Sequence, residues 1–207
     1  MGAIKVQSLE AAREAIDEFV HNLANGDPQS SFSAAALDAA SIKVLDVSRT
    51  EDAKYSSLVV SLFLASRLLT PRYQELLTPL SHLGVSFAKV EMQATDKMAN
   101  GLGNVHGGCV ATIVDCITSA CIYNHTTNQI PDPWSMLGVS QSLSIVYLSP
   151  LPIEGWMDIL ITVASVGKSI SVTQAEIWVK DGPGGKRIRK AALGTHTKVD
   201  NSSQARI

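Results

Sequence analysis

A carboxylate stands inside an apolar segment of this 207-residue chain, directly after a turn-rich stretch. Asp115 ends the sequence NGLGNVHGGCVATIVD, residues 100–115. Burying a carboxylate in a helix is costly unless the group is paired or used. The position therefore indicates either a buried acid satisfied by hydroxyls such as those of Thr112 and Ser119, or a group with a chemical function. Spacing alone leaves both interpretations open.

Helical periodicity gives the segment after His106 two different faces. One face is apolar, as expected for a stripe that packs on a sheet: Val110, Ile113, Val114, Ile117 and Cys121. The opposite face carries small residues around Asp115: Gly108, Ala111, Thr112 and Ser119. Small neighbours leave room for another chain, a ligand or water to reach the carboxylate.

The predicted start of this helix is a pair of glycines. The first N–H groups of a helix have no internal partner and lie at the positive end of its dipole. Gly107 and Gly108 leave those N–H groups uncovered, which suits an anion or a developing oxyanion. Simple turn geometry explains a glycine pair at a helix start equally well.

Composition limits the classes of function. The chain is 45% hydrophobic and 17% charged with a formal net charge of -2, which suits one domain with an appendage and no nucleic-acid partner. The three cysteines, Cys109, Cys116 and Cys121, lie in one thirteen-residue stretch without metal-ligand spacing, so we expect reduced core thiols and no metal site. The most apolar run, residues 56–69, is short and contains Arg67, so we expect no membrane span.

The remaining patterns predict an α+β layout. Residues 8–24 are predicted to form an amphipathic helix capped by Ser8. Residues 54–69 are predicted to form a second helix that packs on the main body, with a strand as the alternative because of their β-branched and aromatic content. Alternation predicts a strand at 84–95 that can hold a bulge. It also predicts four strand-like segments between residues 136 and 199. One strand, a long helix and four further strands indicate an antiparallel sheet packed on one helix.

The same residues resemble the hotdog-fold acyl-CoA thioesterases of the phenylacetate-pathway and thioesterase superfamily member type. Asn100, the His106-Gly107-Gly108 triplet and Asp115, nine residues after the histidine, match the family signature. The resemblance extends through GVSQSLSIVYLSP (138–150), VGKS (166–169) and GTHTK (194–198), and the layout is most similar to fungal members. It implies a hotdog sheet around the central helix at 81–200. Residues 1–80 lie outside the resemblance and are predicted from their own pattern to form a mostly helical extension, and residues 201–207 are expected to be a flexible tail.

The resemblance also implies roles for individual residues. Asp115 corresponds to the general base or nucleophile, the Gly107 N–H to the oxyanion donor, and Asn100 to a group that positions the carbonyl or the water. Ser140 corresponds to a serine that holds the water. His106 corresponds to a residue that orders the loop, with a direct catalytic role as the alternative. The expected substrate-binding positions are Gly108, Gly167 and Lys168. No cofactor is expected, because CoA is part of the substrate.

Helix geometry adds a constraint on the assembly. Gly107 and Asp115 are eight residues apart, or roughly 12 Å along a helix. One thioester carbon cannot contact both groups of the same straight helix, so a second chain must supply one of them. We therefore expect an obligate homodimer with composite sites and a continuous sheet, as the resemblance also implies, and leave pairs of dimers open.

The leading functional hypothesis is hydrolysis of an acyl-CoA, or of an acyl group on a carrier protein, in fatty acyl or polyketide metabolism. Alternatives are a non-catalytic acyl-CoA sensor and a hotdog dehydratase or hydratase. We expect an intracellular, cytoplasmic location. The peroxisome is an alternative because the terminal Ala-Arg-Ile resembles a targeting tripeptide, and the mitochondrion is also left open.

Overall fold

The computed structural model describes residues 8–25, 43–48, 86–127, 129 and 132–202. The helix predicted at 54–69 and most of the predicted tail lie outside these residues, so both stay predictions. The division at residue 80 stays a prediction for the same reason.

Six antiparallel strands form one sheet in the order β1-β2-β4-β5-β6-β3. The described residues also include two α-helices, α1 (Leu9–Asn25) and α2 (Gly107–Ala120). The strands are β1 (Lys43–Ser48), β2 (Ser86–Gln93), β3 (Val139–Tyr147), β4 (Trp156–Val166), β5 (Ile170–Lys180) and β6 (Arg187–Val199). The expected α+β architecture, an antiparallel sheet on a central helix, is confirmed.

The core lies between α2 and the sheet. The predicted apolar face of α2 is buried, with Ile113, Val114 and Ile117 fully enclosed. Strands β2, β4 and β5 supply the facing side chains, because their alternate residues point towards the helix. A Cβ at Gly194 of β6 would lie 2.7 Å from a methyl group of Val114, so glycine permits the helix to approach the sheet closely there.

Strand β3 forms one edge of the sheet and is exposed along most of its length. Its register against β6 shifts by one residue between Ser140 and Ser142, so Gln141 is the extra residue of a bulge. Residues 143, 145 and 147 pair with 196, 194 and 192 of β6. Because of the bulge, Ser140, which pairs with Lys198, lies on the same side of the sheet as residues 143, 145 and 147. This is the side that faces α2.

Two local expectations are confirmed and one strand was missed. Helix α1 begins after Ser8, whose hydroxyl accepts a hydrogen bond from the Ala11 N–H at 3.2 Å. Strand β2 pairs with β4 without a register shift, and the irregularity at this end of the sheet lies in β1, between Val44 and Asp46. Strand β1 was not expected, because the Ala/Ser-rich residues 31–50 give no clear alternation.

The central helix and the 3₁₀ turn that follows it, Gly107–His125, are long and apolar enough by composition to cross a membrane. However, 67% of the relevant stretch is buried inside the protein. The core helix of a folded domain has the same properties, so this stretch does not contradict the expectation of no membrane span.

Candidate active site

His106 caps the start of α2. Its Nδ1 accepts a hydrogen bond from the Gly108 N–H at 3.0 Å, and its own N–H donates to the Met98 carbonyl at 2.7 Å. Its carbonyl accepts the Val110 N–H at 3.1 Å, which is the first bond of the helix. Both the side chain and the backbone of His106 therefore hold the start of the helix, and its role in the reaction stays a prediction.

Asn100 organises the loop before the helix. Its Oδ1 accepts from the N–H groups of Leu102 at 2.8 Å and Asn104 at 3.1 Å. Since two N–H donors face this atom, it is the carbonyl oxygen of the amide. The amide nitrogen is therefore the end that can donate to a substrate.

A cleft of about 410 Å³ lies over the start of α2. Asn100 and Gly107 both line it, together with Tyr147 at the end of β3 and the segment 148–151. Within the described part of the chain, the Gly107 N–H has no hydrogen-bond acceptor. The cleft thus brings together a helix N–H and an amide that can both donate to a carbonyl oxygen.

Asp115 belongs to a second cluster, just beyond the middle of α2. Its side chain is 44% exposed, and its Oδ1 accepts from the Ser140 hydroxyl at 3.1 Å. The Nε2 of His196 lies 3.3 Å from the same oxygen and 2.9 Å from the Ser140 Oγ. The other ring nitrogen of His196 lies 2.7 Å from the Thr118 Oγ1.

The His196 side chain is fully buried, and this determines its charge. Burial lowers the pKa of His196 to about 4, with the Lys198 ammonium acting in the same direction and the Asp115 carboxylate against it. The imidazole is therefore neutral at pH 7. A neutral ring can hold Asp115 in place without neutralising it.

Lys198 is the buried cation of this region. Its Nζ donates to the Ser119 hydroxyl at 2.8 Å, and that hydroxyl donates to the Asp115 carbonyl at 2.6 Å. Burial lowers the pKa of Lys198, while Asp115 and Cys116 oppose the shift. The hydroxyls of Thr112 and Ser119 donate to the backbone carbonyls of Gly108 at 3.0 Å and of Asp115 at 2.6 Å, and neither bonds the Asp115 carboxylate. The proposed partners Thr112 and Ser119 are therefore not what satisfies this acid.

Six of the predicted site residues fall into these two groups. Asn100, His106, Gly107 and Gly108 lie at the start of α2, whereas Asp115 and Ser140 form the second cluster. Gly167 and Lys168 lie in the turn between β4 and β5, where the Gly167 carbonyl accepts from the buried Trp134 indole at 2.8 Å. Neither of these two lines the cleft or bonds the Asp115 cluster, and their substrate-binding role stays a prediction.

Sequence reasoning missed His196, Lys198 and Tyr147. The first two belong to GTHTK, where alternate residues share one face of a strand, so a polar pair on the side facing the helix was readable in the sequence. Their partners on α2 were not readable, because strand register sets them. The three cysteines are free thiols, of which Cys109 and Cys121 are buried, and burial raises the pKa of Cys109 to about 11.

Residues 102–186 match the family model described as thioesterase superfamily. The chain is 34% identical over 110 residues to acyl-coenzyme A thioesterase 13 of Homo sapiens, which covers 52% of this chain and 69% of the relative. The Mus musculus protein of the same name is 32% identical over 108 residues, with the same coverage. Among solved structures, the zebrafish thioesterase superfamily member 2 covers 93% of this chain and 98% of its own, with a TM-score of 0.57 and 18% identity.

Proposed function

Because this chain belongs to the thioesterase superfamily, we propose that it hydrolyses acyl-CoA thioesters to a free acid and the CoA thiol. The observation that carries the proposal is the state of Asp115. This carboxylate is half-exposed on a core helix, yet it is held by the Ser140 hydroxyl and by a fully buried imidazole. A merely structural acid has no need of such fixed partners on an open face.

The hydrogen bonds around His196 fit one protonation pattern. The carboxylate of Asp115 favours a proton on the facing Nε2, so that Nδ1 accepts from the Thr118 hydroxyl. The Ser140 hydroxyl then accepts from Nε2 and donates to Asp115. These two bonds fix the orientation of the Asp115 carboxylate, which a general base requires.

In the proposed reaction, Asp115 removes a proton from a water molecule as the water oxygen attacks the thioester carbon. The carbonyl oxygen becomes an oxyanion and is stabilised by the Gly107 N–H, with the Asn100 amide as a second donor. Collapse of the intermediate breaks the carbon–sulfur bond. The departing thiolate takes the proton from Asp115, leaving the free acid. Direct attack by the carboxylate, through an anhydride that water then cleaves, is the variant of the same step.

We propose that the site is shared by two subunits. Strand β3 joins the two halves of the machinery within one chain, since Ser140 near its start contacts Asp115 and Tyr147 at its end contacts Gly107. If two β3 strands pair antiparallel across a two-fold axis between these positions, the Asp115 end of one subunit lies beside the Gly107 end of the other. Gly107 and Asp115 then come from different helices. Their separation of roughly 12 Å along one helix therefore no longer prevents both from contacting one thioester.

The exposed edge of β3 supports this pairing. An uncovered edge strand has free backbone groups that another strand can pair with. Large apolar side chains on this edge are also exposed to solvent: Val139, Leu143, Val146, Tyr147 and Leu148. A continuous sheet across the dimer would satisfy the backbone groups and cover apolar surface.

The direct test is thiol release from a series of acyl-CoA thioesters with short straight, branched, medium-chain and aromatic acyl groups, read with a thiol-reactive chromophore. Release above the rate of buffer alone, for at least one acyl class, is expected. The same acyl group on a phosphopantetheine carrier protein separates CoA from carrier substrates. Tight binding of acyl-CoA without any release would refute hydrolysis and favour a sensor.

A further inference from the structure

The Gly107–Gly108 peptide at the start of α2 is held at both ends by side chains. The Tyr147 hydroxyl donates to the Gly107 carbonyl at 2.8 Å. The N–H on the other side of the same peptide bond, that of Gly108, donates to His106 Nδ1 at 3.0 Å. One amide plane is thus fixed by a tyrosine from β3 and by the residue that caps the helix.

Such a peptide needs external support, because glycine backbones populate more conformations than those of any other residue. With glycine on both sides, no Cβ restricts rotation of the amide plane. The aromatic ring of Tyr147 supplies part of that restriction. Its atoms lie 3.4–3.5 Å from the position that a Cβ of Gly107 would occupy, so the ring packs on the open side of this residue.

Stability of the single folded chain does not account for this tyrosine. Its side chain is 56% exposed, and its hydrogen bond lies at the surface of the cleft. An exposed hydrogen bond adds little to folding. Its position beside Gly107 and Asn100, in the same cleft, points to a role in the site instead.

We propose that Tyr147 is a positioning residue for thioester hydrolysis, which together with His106 holds the Gly107–Gly108 peptide and thereby fixes one side of Gly107. The Gly107 N–H belongs to the preceding peptide, whose His106 carbonyl is held by the Val110 N–H at 3.1 Å, so with both peptides fixed this N–H keeps its direction towards the substrate carbonyl. The inference rests on the proposed function. Tyr147 acts through Gly107 and takes no part in proton transfer. A donor that is already oriented needs no reorganisation as the oxyanion forms, so the effect appears in the chemical step.

The test is Tyr147→Phe, which removes the hydroxyl and keeps the ring. We expect kcat to fall by about 5- to 10-fold, the range for losing one exposed hydrogen bond that acts in the transition state, with KM within about twofold of wild type. The melting temperature should not change. Tyr123→Phe is the matched control, because it removes the same hydroxyl from a half-buried tyrosine in the 3₁₀ turn after α2 and should leave kcat unchanged.

The affinities of two analogues that cannot be hydrolysed distinguish a positioning role from a purely structural one. A ketone analogue of the acyl-CoA keeps the carbonyl, whereas a thioether analogue lacks it. Tyr147→Phe should weaken the ketone and leave the thioether unaffected. At the other end of the peptide, His106→Ala should lower kcat, and His106→Asn should restore it because asparagine offers a capping oxygen.

Unchanged kcat in Tyr147→Phe, or equal weakening of both analogues, would overturn the inference. These failures differ from failure of the proposed function. If the wild-type protein releases no thiol from any acyl-CoA, hydrolysis itself is refuted. If the wild type is active and Tyr147→Phe is equally active, only the positioning role of Tyr147 is refuted.

Discussion

The Nε2 of His196 lies 3.3 Å from the Oδ1 of Asp115, and a single hydroxyl, that of Ser140, bridges the two. The histidine is fully buried and the aspartate is half-exposed. The pair therefore joins the core of the sheet to the open face of α2. Buried partners that fix an exposed reactive group are the usual means by which an enzyme keeps its base oriented.

Burial of His196 predicts that stability falls on mild acidification. Its pKa is about 4 in the folded protein and 6.5 when unfolded, so between these values the unfolded chain binds more protons. The free energy of unfolding should therefore fall from pH 6.5 to pH 4, by on the order of 3 kcal/mol from this residue. Thermal melts at half-unit pH steps measure it.

His196→Gln should flatten the stability profile between pH 6.5 and 4, because glutamine does not titrate. His21→Gln is the control, since His21 lies on α1 and is partly exposed beside Asp17. An unaltered slope in His196→Gln would mean that another group causes the acid sensitivity.

A second prediction concerns the buried ion cluster on the other face of the sheet. The Lys180 ammonium bonds Glu91 and lies 3.0 Å from Asp158, and the side chains of all three are at most 6% exposed. Burial raises the pKa of Glu91, but the bonds from Lys180 and from the Gly184 N–H outweigh it and hold the pKa below its usual value. Lys180→Met leaves the buried Glu91 without its cation, whereas Asp158 keeps Arg187 at 2.8 Å and Lys89 at 3.3 Å. The uncompensated Glu91 should cost about 3–5 kcal/mol of unfolding free energy.

Lys190→Met provides the comparison for this cluster. Lys190 pairs with Glu176 at 3.0 Å near the surface of the same sheet, so its loss should cost no more than about 1 kcal/mol. Denaturant melts at pH 7 separate the two variants. Equal losses of unfolding free energy in the two variants would show that the buried cluster stabilises the fold no more than the surface pair does.

Most elements of this fold could be predicted from local sequence pattern, whereas others depend on how the strands pair. The capped helix α1, the faces of α2 and strands β2 to β6 follow from periodicity and capping residues that stand in the sequence. Strand β1 does not, because Lys43–Ser48 gains its structure from pairing with β2 rather than from its own alternation. Local propensity is a weak guide where tertiary pairing decides.

The site residues also fall into those visible in the sequence and those that depend on strand register. Asn100, Gly107 and Asp115 stand out by residue type and spacing, since an acid in an apolar helix and a glycine pair at its start are visible anomalies. The contacts of Tyr147 and His196 depend on where β3 and β6 lie against α2. The bulge at Gln141, which turns Ser140 towards Asp115, is equally invisible without the register.

A third prediction tests whether the sites are composite. Asp115→Asn removes the base, and Asn100→Asp keeps the oxygen that orders the loop but removes the amide donor. Each homodimer should be inactive. After the two are mixed and subunits exchange, half of the dimers carry one intact site, so about a quarter of wild-type activity should return.

Light scattering on the same samples gives the oligomeric state. Mixing without recovery, in dimers shown to exchange by a labelled subunit, would contradict a shared site. An active monomer would contradict the dimer itself.

The central claim, that Asp115 is the base or nucleophile of a thioester hydrolase, is tested most directly by the kcat of Asp115→Asn on an acyl-CoA that the wild type hydrolyses, measured with the melting temperature. Asparagine keeps the shape and the acceptor for Ser140 but removes the charge and the basicity. We predict that kcat falls by about 10²–10⁴-fold while folding and acyl-CoA binding persist. A folded Asp115→Asn protein that binds acyl-CoA and hydrolyses it at nearly the wild-type rate would contradict the account.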